Sequence, residues 1–146
     1  LYIINPRLTK TYRNLEHYGN PEKILNDVEK QIRRRILLQT KTLILTPRYL
    51  VELSDDICAI IPLPEVLWIY DHAAMRRTIK GRQLSYTIHV VTMKGEEYTL
   101  TGKSHREVSA IYHELNTRYP NFFFGYSKEH QEMVQYVLHE MKNEKA

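Results

Sequence analysis

Between Leu37 and Leu100 the apolar residues keep strand-like spacing, and no helix-spaced stripe interrupts them. Parallel neighbours need a crossover of a dozen or more residues, usually a helix. Strands strung together without one must therefore pair with antiparallel neighbours. Thr42–Thr46 and Tyr49–Leu53 are β-rich runs split by Pro47-Arg48, which reads as a hairpin. Ser54-Asp55-Asp56 is the next turn. The run Ile57–Ile61 should end or bulge at Pro62 and Pro64, because proline cannot donate to a ladder. Val66–Tyr70 resumes the strand pattern. From Leu84 to Thr92 the alternation is clean, with Leu84, Tyr86, Ile88 and Val90 on one face and Ser85, Thr87, His89 and Val91 on the other. Lys94-Gly95 turns this strand back into Glu97–Thr101, and Gly102 closes the region.

Helices flank the strands on both sides. Asn20-Pro21-Glu22 supplies an N-cap, a preorganised first residue and an acid at the positive helix end. Ile24, Leu25, Val28 and Ile32 then form one apolar stripe to about Arg33. Ser104-His105-Arg106-Glu107 is a capping box, followed by the face Val108, Ile111, Tyr112, Leu115 and Tyr119 and by Pro120 as a stop. Phe122–Gly125 reads as an aromatic knot. Ser127 caps a last helix whose face is Met133, Val134, Val137, Leu138 and Met141. The fold class is α+β, with helices segregated to the ends of an antiparallel sheet. The organisation is a polar lead-in over 1–19, one domain over 20–142 and a frayed tail over 143–146.

Composition excludes more than it identifies. Eleven tyrosines fit strands with half-wet rims. A net charge of +4 permits an anionic partner without demanding one. Cys58 is the single cysteine, so an internal disulfide is impossible, and its apolar surroundings read as core. No apolar run approaches the roughly 18–20 residues of a membrane span.

Chemical signatures are sparse. The five glycines are isolated, so no dinucleotide fingerprint or P-loop can be built. His113-Glu114 and His139-Glu140 each begin an HExxH pattern, but Thr117 and Asn143 stand where the second histidine belongs. His105 and His113 lie two helical turns apart, while His17, His72, His89 and His130 are scattered along the chain. Asp55-Asp56 fits backbone capping in a turn better than acid–base work. The residues therefore predict no enzyme, no cofactor and no metal.

Two basic clusters remain as candidate contacts with an anionic surface. One is Arg33, Arg34 and Arg35, with Lys30, at the end of the first helix. The other is Arg76, Arg77, Lys80 and Arg82, placed in a loop between Tyr70 and Leu84. Charges of this kind suit anionic lipid head groups. Nucleic acid is not expected, because aromatics do not interleave with the clusters and no helix is basic along one face.

Thr42–Val51 followed by Ile60-Ile61-Pro62-Leu63-Pro64 and the Trp68 strand resembles the opening of bacterial pleckstrin-homology-like domains. The resemblance continues through Gly95, Tyr98 and the segment from Ser104 to Ser127. The lead-in Tyr12–Glu22 resembles a segment that follows transmembrane helices in small bacterial membrane proteins. This resemblance implies a strongly bent antiparallel sheet, or partial barrel, closed by a helix on the cytoplasmic side of a membrane, with hydrophobic spans just before Leu1. Two helices depart from it: one before the sheet and one after Ser127. No binding residue carries over from the resemblance. The expected function is a non-catalytic binding or scaffolding module of a membrane-anchored protein. The alternative is a soluble protein–protein interaction or homodimerisation domain that uses a strand edge or the Phe122–Tyr126 knot, with a small enzyme as the third and least favoured reading.

Overall fold

The structure is a computed structural model that describes residues 13–53, 58–119 and 122–144. The readings placed on the lead-in before Arg13, the Asp55-Asp56 turn, the Cys58 side chain and Pro120 lie outside the described residues. Chain contacts divide the protein into two compact units, Leu1–Pro64 and Glu65–Ala146.

In the first unit, α1 (Pro21–Arg34) precedes a four-stranded antiparallel sheet of β1 (Leu38–Gln39), β2 (Leu43–Leu45), β3 (Tyr49–Leu53) and β4 (Cys58–Pro62), in that spatial order. The Asn20 side chain accepts from the Glu22 and Lys23 amides at 3.0 and 3.4 Å, which sets where α1 starts. Most of its stripe packs inward: Val28, with Ile24 and Ile32, meets Leu15, Tyr49, Val51 and Ile60, while Leu25 stays exposed. At the β2–β3 turn the Thr46 amide donates to the Tyr49 carbonyl at 2.9 Å, and the Thr46 hydroxyl accepts from the Tyr49 amide at 3.0 Å. Pro62 is the last residue of β4, at the edge of this sheet, where a missing N–H costs least.

In the second unit, β5 (Val66–Thr78), β6 (Gly81–Thr92) and β7 (Glu97–Lys103) form an antiparallel meander. It is followed by α2 (His105–Arg118), β8 (Phe123–Phe124) and α3 (Lys128–Glu144). Both α2 and α3 start where the sequence places a cap. Ser104 accepts from the Glu107 amide at 3.2 Å while Glu107 accepts from the Ser104 amide at 3.0 Å. Ser127 Oγ accepts from the His130 amide at 3.0 Å. The inner part of this sheet is covered on both faces. Val134, Val137 and Leu138 of α3 pack against Leu67, Trp68 and Val91. On the other face Ile69, Ile88 and Val90 are buried, and α2 contributes buried Val108, Ile111 and Leu115.

These elements make the chain α+β, with mainly antiparallel sheets. Three expectations are corrected. The stretch between Tyr70 and Leu84 is no loop, because β5 runs to Thr78, β6 begins at Gly81, and the two pair in continuous register to the turn. The aromatic knot contains a strand: Phe123 and Phe124 pair in parallel with Trp68 and Ile69. Gly102 lies inside β7, at φ +67°, opposite a register shift between Tyr86 and Ile88. An extra residue in one strand produces such a bulge, and glycine alone takes that φ without strain.

Candidate functional site

The β5–β6 pair changes character along its length. β6 pairs with β7 only from Val91 out to Tyr86, which faces Lys103. Beyond that point β5 and β6 continue alone, as a two-stranded ribbon from Ala74 through the Ile79-Lys80 turn to Ser85. At about 3.3 Å per residue the ribbon reaches roughly 20 Å past the three-stranded part of the sheet. Every β5 residue from His72 to Thr78 is exposed, as are Gly81 to Leu84 on β6. At the turn the Thr78 hydroxyl donates to the Gly81 carbonyl at 2.9 Å, and Gly81 takes φ +112°.

This ribbon gathers one of the two basic clusters. Arg77 lies directly opposite Arg82, Arg76 opposite Gln83, and Lys80 sits in the turn. No Asp or Glu occurs between Asp71 and Glu96, so the whole reversal carries cations only. Among the described residues no carboxylate forms a salt bridge with any of the four. Like charges directly opposite on paired strands destabilise a hairpin. Arg77 facing Arg82 is thus a cost to the free ribbon that an anion between them would relieve. Arg76 leans back: its guanidinium lies 3.9 Å from where a side chain on Gly102 would begin.

At the ribbon's base an open groove of about 260 Å³ is lined by Arg76, Gln83, Gly102, Lys103, Ser104 and Glu107. The start of α2 opens here, where the Ser104–Glu107 box already engages the Glu107 amide. Below the ribbon an aromatic ladder runs along one face. Trp68 and Tyr70 have ring centroids 4.3 Å apart, Tyr70 and His89 4.7 Å, and His89 and His72 5.1 Å. Tyr126 lies over both Trp68 and Tyr70, at 6.1 and 5.4 Å. The Trp68 indole donates to the Gly125 carbonyl at 2.9 Å, and the Gly125 amide donates to Ile69 at 2.8 Å, which docks β8. Burial pushes the Tyr70 phenol up, and negative charge at Glu97 and Tyr126 adds to this.

The histidines read as scattered include a close pair. His89 Nε2 and His72 Nδ1 lie 3.2 Å apart. Burial holds His89 below its ordinary value, and the neighbouring His72 adds to the effect. The signal for this pair is the register itself: once the turn is placed at Ile79-Lys80, His89 pairs with Tyr70 and meets His72 diagonally. On the opposite face the Tyr112 hydroxyl of α2 donates to the Asp71 carboxylate, where β5 leaves the covered sheet. Burial and that bond raise the Tyr112 phenol well above its usual range. Among the described residues no three His, Cys, Asp or Glu side chains converge as a metal site.

The Arg33–Arg35 cluster has a local explanation. Arg33 and Arg34 occupy the last turn of α1 and Arg35 is its C-cap, all exposed. There they complement the negative helix end, and Arg33 also pairs with Glu29 one turn back at 2.6 Å.

One family of protein domains matches residues 20–134, and its description is a domain of unknown function, DUF6709. The chain belongs to this family. The matched segment opens at Asn20, the cap of α1, closes at Val134, the buried residue of α3, and contains the whole ribbon. No curated protein and no solved structure matches the chain. No helix among the described residues is long and apolar enough to cross a membrane.

Proposed function

We propose that this chain is a non-catalytic, pleckstrin-homology-like binding module that works at the cytoplasmic face of a bacterial membrane, where the β5–β6 ribbon contacts an anionic surface. The observation that carries this reading is a free two-stranded ribbon bearing Arg76, Arg77, Lys80 and Arg82 with no acid along it. Strand order supports the topological part. The resemblance implies an antiparallel sheet closed by a helix, and antiparallel strands followed by α2 are in keeping with that order. Because α1 and α3 are additions to that plan, the contact surface is assigned from this chain's own charge and exposure.

Each cation close to an anionic bilayer strengthens binding roughly fivefold. Arg77, Lys80 and Arg82 extend toward the tip, so together they contribute about a hundredfold, with Arg76 adding less from the base. The test is co-sedimentation with vesicles of phosphatidylcholine alone and with 30 mol% phosphatidylserine at roughly 0.1 M salt, where screening acts over about 10 Å. The native chain should bind only the anionic vesicles, and R76A/R77A/K80A/R82A should lose about two decades of affinity. Equal binding by the native and substituted chains removes the ribbon from the account.

A further inference from the structure

We infer that the ribbon is a membrane-inserting tip in which Ile79 enters the acyl boundary of an anionic bilayer while Arg77, Lys80 and Arg82 hold the phosphates above it. This rests on the surface contact proposed above and adds to it a wedge of apolar side chains.

The turn sequence is the first reason. Hairpin turns favour Asn, Asp and Gly, which keep the tip wet; the left-handed angle of this reversal falls on Gly81, so the turn residues are free to be polar. Here the first turn residue is Ile79, a β-branched side chain at 107% relative exposure. Nothing in the turn requires it: the hydrogen bond that closes the reversal comes from Thr78 to Gly81. The second reason lies just behind the tip. Met75 and Leu84 are a directly opposed pair, 62% and 56% exposed. Paired residues share a face, and alternation puts Met75–Leu84 and Arg77–Arg82 on the same one. From the tip inward that face therefore reads apolar, cationic, apolar.

The spacing suits a bilayer boundary. The Arg77–Arg82 rung lies two residues behind Ile79, roughly 7 Å at strand rise. Interfacial elements bury their apolar face about 5–10 Å into the headgroup region. With Ile79 at that depth the two guanidinium groups come level with phosphates, and long cationic side chains settle there with their stems along apolar surface. A nucleic acid or an acidic peptide would use the cations and leave Ile79 in water. Charge complementarity together with an apolar tip selects the lipid surface.

Substituting Ile79 tests insertion separately from charge. In the same vesicle assay I79S, which leaves the net charge untouched, should weaken partition by about ten- to a hundredfold, the range for burying one aliphatic side chain. Its dependence on salt should match that of the native chain, whereas R76A/R77A/K80A/R82A should flatten it. An I79W chain should gain a fluorescence component quenched by lipids brominated near the headgroup, with Trp68 as internal reference. Circular dichroism should be unchanged, since Ile79 touches no core. Native affinity in I79S together with lost affinity in the four-cation variant would overturn insertion and keep the surface contact. A native chain that ignores anionic vesicles would overturn both, as would an Ile79-dependent dimer in their place.

Discussion

Tyr112→Phe is the most informative single change, because it removes one hydroxyl where β5 leaves the covered sheet. The ring would stay, since it packs on Phe124 with centroids 4.2 Å apart. What is lost is the donor to the Asp71 carboxylate. A hydrogen bond to a charged group contributes about 1.5–3 kcal/mol. Asp71 is only half-buried, so water can replace part of the bond and the lower end applies, about 1.5 kcal/mol. For a chain of this size that corresponds to roughly 3–6 °C in Tm. Urea unfolding can be followed through Trp68, the single tryptophan, which lies on the same strand three residues from Asp71. A cycle of Y112F, D71N and the double variant should give a coupling of about 1 kcal/mol. The pH dependence is a second readout. Because the folded-state phenol is raised, the unfolded chain releases its proton first, near pH 10. The stabilisation is complete below that value and is lost as pH rises above it. Y112F should remove that share of the alkaline loss. A Y112F chain with the native urea midpoint at pH 7 and the native alkaline slope would refute the reasoning.

Ser104→Ala breaks the capping box and should lower stability by about 1 kcal/mol in the same urea assay, with S104D restoring most of it. Gly102→Ala meets no steric block, its nearest neighbour being 3.9 Å away, yet forces an L-residue to φ +67°. It should cost about 1 kcal/mol, and native stability would contradict the bulge. The lowered pKa of His89 makes the folded state resist a proton that the unfolded chain accepts. Its contribution is intact above about pH 6.5 and is lost as pH falls through that value. His89→Gln should therefore flatten the stability profile between about pH 7.5 and 5, as measured by urea midpoints. In the first unit, Tyr49→Phe removes a 2.6 Å bond to Asp27 and should cost about 1 kcal/mol in thermal unfolding.

Local chemistry makes the helices and most inner strands legible. Asn20, Ser104 and Ser127 mark helix starts because a cap satisfies amides within three residues of itself. The Lys94-Gly95 reversal is equally plain: the Gly95 amide donates to Thr92 at 2.9 Å and Gly95 takes φ +81°. The outer halves of β5 and β6 are hidden from a reading of the residues. Ala73, Ala74, Met75, Arg76 and Arg77 have weak strand propensity, and a ribbon exposed on both faces shows no alternation. Its backbone becomes a strand because the partner across the turn supplies the hydrogen bonds. The four ribbon cations stand out in the sequence as a cluster, but there they read as a loop, and nothing local marks Ile79, Met75 and Leu84 as their companions. Met133 shows the converse: it fits the α3 stripe by spacing yet is 51% exposed.

The strand-like runs between Leu37 and Leu100, with no helix-spaced stripe among them, determined by themselves that the chain is α+β with mainly antiparallel sheets, since strands joined without crossovers have few other ways to pair. The capping residues determined where its helices begin. Only the tertiary structure decided that β8 joins in parallel beside β5 and that His72 meets His89. It also decided that the second basic cluster stands on a free ribbon while the first closes a helix. Those outcomes depend on register and on which strand lacks a neighbour, and both arise from hydrogen bonds between segments that local residue chemistry leaves open.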